Sequence, residues 1–257
     1  MLDLLSWFVP PGLAGWSVAV LLAAGAFTAF LTTVLGIGGG VLLLGVMSVF
    51  LPAAVVIPLH GVIQLGANAG RTMIAWRRVR IPVLLAFLAG AVVGAAAGAQ
   101  VLVELPRGWM ELLLGAFILW ACLGPTPRIS HGSHVRIAIG GTLTSALTLF
   151  VGATGPLVGA LIRALRLDRR DHVSTFAACM VSQHGLKVLV FWLIGFGFGP
   201  YAGFLAAIIA CSLLGVWLGG FVLERLQDQL FHRLLTALLV ILALRLVYVG
   251  GREVLTG

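Results

Sequence analysis

Charge is scarce in this chain, and negative charge is scarcest. Of its 257 residues 9% are Asp, Glu, Lys or Arg, and only eight are acids. Soluble domains carry about 25% charged residues, so no soluble domain is expected. The chain is 61% hydrophobic, with a mean hydropathy of +1.14. Apolar stretches long enough to cross a bilayer fill nearly all of it. Cysteine is also sparse: Cys122, Cys179 and Cys211 lie in apolar segments, outside any CxxC or His/Cys cluster. Neither a disulfide framework nor a structural metal site is indicated. The opening stretch MLDLLSWFVPPG has an acid and no Lys or Arg, so it does not read as a signal peptide. The net charge of +8 comes from basic residues in short loops, the pattern that sets membrane orientation. A phosphate-binding face would gather them on one solvated surface, so nucleic acid is not an expected partner.

What is present reads as an all-α polytopic membrane protein with about 8–10 transmembrane or half-spanning helices. Ten apolar segments are expected, near 14–35, 41–51, 58–76, 81–103, 108–124, 135–152, 156–166, 172–194, 200–222 and 229–249. The second and seventh are too short to span, and each follows a glycine-rich break, LGIGGG or VGATGP. Such interrupted segments in matching places of two halves point to a transporter binding site. The halves do match: Gly38 with Gly152, Gln64 with Gln183, Gly94 and Gly98 with Gly215 and Gly219. Residues 1–127 and 128–257 are therefore expected to be two repeats of one integral domain. Arg77, Arg78 and Arg80 follow the third segment, whereas Arg163, Arg166, Arg169 and Arg170 precede the eighth. The equivalent loops LPAAVVIP and GFGFGP are bare. Charged and bare loops swap, as an inverted repeat requires. The charged loops belong inside, which places both termini outside the cytoplasm. Each half then needs an odd number of crossings, and the sequence leaves two solutions: five, or three plus a re-entrant hairpin. The small-residue stripes GAVVGAAAG and GVWLGG are expected to pack helices closely.

One segment carries polar residues where lipid forbids them. His60, Gln64, Asn68 and Arg71 fall within roughly 80° of one another at about 100° per helical residue. With a helix entering near Pro58, Gln64 and Asn68 bracket the midplane. The eighth segment carries a second such face, with Thr175, Ser182, Gln183 and Lys187, and His184 at its edge. A buried lysine is costly without a counter-charge, yet all eight acids sit at segment ends or in loops. Two inward cations, Arg71 and Lys187, with no carboxylate in reach suggest a bound anion. The helix ends after Gly38, Gly39 and Gly40, and at Thr154 and Gly155, would add backbone N–H donors, and Thr154 a hydroxyl. The candidate binding residues are thus Gln64, Asn68, Arg71, Ser182, Gln183, Lys187, Gly38, Gly39, Gly40, Thr154 and Gly155. His60 and His184 are the candidate proton carriers. No catalytic residue, cofactor or metal is expected.

The glycine breaks GIGGG and VGATGP, with HGVIQLGANAGR and STFAACMVSQHGLK, resemble the TauE/SafE sulfite-exporter family over nearly the whole chain. That resemblance implies transport of sulfite or another small organosulfur or organic anion. The expected protein is a secondary transporter of the cytoplasmic membrane, working by alternating access with one half rocking against the other. Its expected partners are the anion and the lipid bilayer, with a homodimer left open. An anion channel is the alternative. An intramembrane enzyme lacks its nucleophile or HExxH constellation, and a metal-cation carrier lacks its carboxylates.

Overall fold

The structure is a computed structural model that describes residues 7–10, 12–35, 38–102, 106–123, 133–222 and 229–256. The described residues form helices joined by turns. They are α1 (Gly15–Leu35), α2 (Gly39–Phe50), α3 (Ala53–Ile74), α4 (Ile81–Leu102), α5 (Arg107–Leu123), α6 (His134–Val151), α7 (Gly155–Arg163), α8 (Arg169–Leu193), α9 (Ala202–Val222) and α10 (Gln229–Thr256). Six of them, α1, α3, α4, α6, α8 and α9, are long and apolar enough to cross a membrane. All ten expected segments are present. The boundary between the expected repeats, near residue 127, lies outside the described residues.

The helix start that differs most from expectation is that of α3, and the helix end that differs most is that of α10, which runs to Thr256 rather than to 249. α3 begins at Ala53, not Pro58, and Pro58 lies inside the helix. Proline is tolerated in membrane helices because neighbouring groups satisfy the freed carbonyl. The helix has 22 residues, about 33 Å at 1.5 Å per residue. Its middle falls at Ile63–Gln64, so His60 lies deep rather than at the interface.

The two short helices fold back. α2 has 12 residues and α7 has 9, about 18 Å and 14 Å long, near half of a bilayer core. Trp16 at the start of α1 meets Phe50 at the end of α2, with ring centroids 5.6 Å apart. Gly39 at the start of α2 lies so close to the Thr28 carbonyl of α1 that a Cβ has no room. α1 and α2 thus form a hairpin that returns to the end it came from. Gly140 early in α6 likewise faces Leu161 late in α7. In both hairpins the short helix runs back along the long helix before it. The turns demand glycine: Gly38 has φ +105° and Gly152 φ +75°, a left-handed region that a side chain rarely adopts.

The halves interlock. The first helix of each packs on the fourth of the other, α1 on α9 and α6 on α4. The small-residue stripes make these contacts. Gly90 and Gly94 of α4 approach the Ala138 and Thr142 carbonyls of α6, and Gly215 of α9 approaches the Ala26 carbonyl of α1. Only a missing Cβ permits this distance. α3 packs on α8 at the centre and α5 on α10 at the side. Gly94→Ala should therefore force α4 and α6 apart and cost about 2–3 kcal/mol. Gly220→Ala, where nothing lies within 4 Å, should be neutral or stabilising by up to about 1 kcal/mol. Thermal unfolding of the two variants in detergent measures the difference.

Candidate functional site

Both hairpin tips end at one small cavity between α3 and α8. It is lined by Gly38, Gly40 and Val41 from the first tip, and by Ala153, Gly155 and Pro156 from the second. His60, Gln64 and Asn68 from α3, His184 from α8 and Thr32 from α1 complete its polar wall, with Phe176 and Met180 on the apolar side. Its volume is about 20 Å³. One water needs roughly 10–15 Å³ on this scale, so the cavity holds one or two, and a multi-atom solute requires it to widen.

The two helix ends at the cavity have no side-chain cap. The first intrahelical bond of α2 is from Leu42 N–H to the Gly38 carbonyl. Gly39, Gly40 and Val41 therefore have N–H groups with no partner inside the helix. The second end is poorer. Pro156 has no N–H, and Leu157 N–H already bonds the Thr154 carbonyl, which leaves Gly155. The Thr154 hydroxyl does not cap its helix either; it donates to Gln183 Oε1 at 2.9 Å.

The first-half and second-half side chains differ in the same direction. Gln64 and Asn68 line the cavity. Asn68 Nδ2 donates to the Gln64 carbonyl at 2.8 Å and to Gln64 Oε1 at 3.3 Å, and Arg71 Nη1 donates to Asn68 Oδ1 at 2.8 Å. Gln183 and Lys187 are fully buried but lie behind the wall. Gln183 accepts from Thr154 and donates to Ser145 Oγ at 3.2 Å. Lys187 Nζ donates to the Gly152 carbonyl at 2.7 Å, and Gly61 opposite leaves space for its chain, since a Cβ there would come 2.7 Å from Lys187 Cε. The second copy of the polar face thus braces the second hairpin tip, while the first copy meets whatever enters.

Arg71 lies inside the bundle. It is 5% exposed, although it stands one turn from the end of α3. Rather than reaching for the near end of the bundle, it folds inward onto Asn68 and onto Thr33 Oγ1 at 3.4 Å. Its Nη2 and the Nδ1 atoms of His60 and His184 are buried with no hydrogen-bond partner. Among the described residues neither Arg71 nor Lys187 forms an ion pair. Asp171 pairs with Arg78 and Arg80 where α3 leaves and α8 begins. There Asp168 caps α8 by accepting Asp171 N–H at 2.9 Å, which holds its carboxyl below the usual carboxylate range.

Of the thirteen sequence-expected residues, Gly38, Gly40, His60, Gln64, Asn68, Gly155 and His184 line the cavity, and Arg71, Thr154, Gln183 and Lys187 stand directly behind it. Gly39 is used for packing against α1. Gly155 is at the rim of the second tip. Ser182 is half-buried and donates back to Ala178 O at 3.3 Å on its own helix, outside the cavity lining. Thr32, Thr33 and Ser145 were missed: a hydroxyl in an apolar helix commonly bonds its own backbone, and only the hairpin fold brings these to the site.

The family model for sulfite exporter TauE/SafE matches residues 21–246. The chain belongs to this family. No curated protein matches it. The TauE/SafE match spans both hairpins and the α3–α8 crossing, so every cavity residue lies inside it. As a TauE/SafE chain with six apolar membrane-length helices it is an integral membrane protein of a transporter family. The geometry ranks its polar residues. Asn68→Leu should leave Arg71 Nη1 without its acceptor and cost about 2 kcal/mol. Ser182→Ala should stay within about 0.5 kcal/mol of the parent. Denaturant or thermal titration of the purified variants decides this order.

Proposed function

We propose that this protein is a secondary transporter that moves a small anion, sulfite or another organosulfur or organic anion, across the cytoplasmic membrane by alternating access. One observation carries the reading: two uncapped helix N-termini, one from each hairpin tip, converge on a buried cavity that no carboxylate faces among the described residues. Each helix end carries about half a positive charge, and backbone N–H groups there bind anions. Buried polar atoms without partners, on His60, His184 and Arg71, offer the further donors that such a ligand would satisfy. A metal cation would meet positive charge from every side.

We read the two halves as inverted repeats. The exchange of first helices between halves supports this, because the main packing pairs come in matched twos: α1 on α9 with α6 on α4, and α3 on α9 with α8 on α4. The cytoplasmic placement of the charged loops is supported by the Asp171 pairs, which put Arg78 and Arg80 at the same end of the bundle as the start of α8. Both termini then lie outside the cytoplasm. Since α1 is fastened to α9 and α6 to α4, any rocking body mixes helices of both halves. Cavity widening has to occur where the tips meet α3 and α8.

The contacting set is Gln64, Asn68, Gly40 and Gly155, with His60 and His184 as the two candidates for carrying a proton. Gly38 and Gly39 shape the first tip, and Arg71, Lys187, Gln183 and Thr154 hold the set in place and supply charge. Sulfite, thiosulfate, methanesulfonate and acetate should be tested for thermal stabilisation of the purified protein. A ligand at a hundredfold excess over its Kd adds about 2.7 kcal/mol, or roughly 5 °C or more. Asn68→Asp should keep the fold, because the new carboxylate still pairs with Arg71, yet weaken anion binding at least tenfold through repulsion at the cavity wall. Stabilisation by none of the four anions, or an unchanged affinity in Asn68→Asp, contradicts the assignment. Saturable exchange of labelled anion in liposomes marks a carrier; unitary currents mark a channel.

A further inference from the structure

We infer that His60 takes up one proton each time the cavity takes up an anion, so that anion and proton cross together. This rests on the anion reading above and adds the carrier atom and the stoichiometry. It follows from which ring nitrogen is already committed. His60 Nε2 lies 2.8 Å from the Gly40 carbonyl. A carbonyl can only accept, so Nε2 carries a hydrogen. Turning the ring over would set a carbon against that carbonyl and lose the bond. The remaining nitrogen, Nδ1, is buried without a partner, in a side chain that lines the cavity. In the neutral ring Nδ1 is a lone pair. An anion also presents only lone pairs, so the two repel. His60 can hydrogen-bond an anion only as the imidazolium, with Nδ1–H as the donor.

The surroundings make this proton conditional on the anion. From α8 the Lys187 ammonium faces both imidazoles, and His184 stands edge-on at 5.8 Å between ring centroids. α2 contributes the Gly40 carbonyl, and the end of α6 the Gly152 carbonyl. On α3 itself the neighbouring Gln64 is neutral, and Arg71 is three turns away. No carboxylate among the described residues faces the ring. A second positive charge beside Lys187 is therefore opposed in the empty cavity and offset once an anion is present. Each of the two then favours the other by the same factor. His184 differs: no hydrogen bond fixes its tautomer among the described residues, so its neutral ring can present an N–H without a proton from solvent. That difference makes the count one proton rather than two. The proton comes from water on the side to which the cavity opens, and leaves with the anion on the other.

The sign is fixed. One proton bound with the anion makes affinity rise about tenfold for each pH unit of acidification, over the range in which His60 is neutral in the empty protein and protonated in the occupied one. The test uses the full chain in detergent with ¹⁵N-labelled histidine, with and without each of the four anions at saturation. Expected is one histidine side chain that changes on anion binding from a single protonated nitrogen, Nε2, to two. The changing signal should vanish in His60→Gln. Thermal shift with thiosulfate, which carries no titrating proton near neutrality, should give the tenfold slope in the parent. It should be flat in His60→Gln, whose amide donates without a proton. Anion binding that changes no histidine ring, or a flat parent slope, overturns this inference and leaves the anion reading standing. Failure of all four anions to bind overturns both. The parent measurements decide the matter even where His60→Gln does not fold.

Discussion

Two helix N-termini pointed at one another across a buried cavity repel, and this repulsion is the constraint around which the centre of the molecule is arranged. A helix end normally finds a capping side chain. Here neither α2 nor α7 has one, and the one hydroxyl at hand, on Thr154, is turned to Gln183. The nearby cations are anchored to neutral acceptors, Lys187 to the Gly152 carbonyl and Arg71 to Asn68 and Thr33. Every carboxylate the structure describes is elsewhere. Such an arrangement is unfavourable when empty and favourable when it encloses negative charge, which is the thermodynamic condition for a binding site.

The remaining architecture holds those two ends in opposition. A half-length helix cannot stay in a bilayer alone, because the backbone groups of its broken end have no water to bond. Each therefore lies back on a full-length helix, α2 on α1 and α7 on α6. The full-length helices are in turn pressed onto the opposite half by glycine contacts to backbone carbonyls. Loss of one such glycine moves a hairpin tip. Packing and binding are thus the same problem here, although the residues concerned lie far from the cavity.

The two polar faces, on α3 and on α8, divide the labour. Gln64 faces the cavity, whereas Gln183 is saturated by Thr154 and Ser145. The difference traces to the breaks themselves. Gly40 has no side chain to engage Gln64, whereas Thr154 holds Gln183. The single tautomer lock on His60 follows from the same asymmetry, since the Gly40 carbonyl is presented by the more open tip.

Composition and periodicity alone decided much of this protein. Low charge and long apolar runs required membrane helices. The breaks at Gly38 and Gly152 were legible because only glycine suits their positive φ. The polar face of α3 was legible because lipid tolerates none, and the absence of acids near it could be counted. What sequence could not decide was direction and depth. Pro58 read as a helix start, but tertiary packing carries the helix past it to Ala53, which moves His60 into the core. Periodicity placed Arg71 on the polar face of α3, but only the fold supplied its acceptors, Asn68 and Thr33. Ser182 lay on the right face by angle yet turned back to its own backbone. Thr33 and Ser145 gave no signal, since a hydroxyl in a helix is ordinary until another chain segment is folded against it. Periodicity fixes which residues share a face, because that is a property of one helix. Which faces meet, and which atom of each side chain is left free, depends on contacts between helices, and those exist only in the folded molecule.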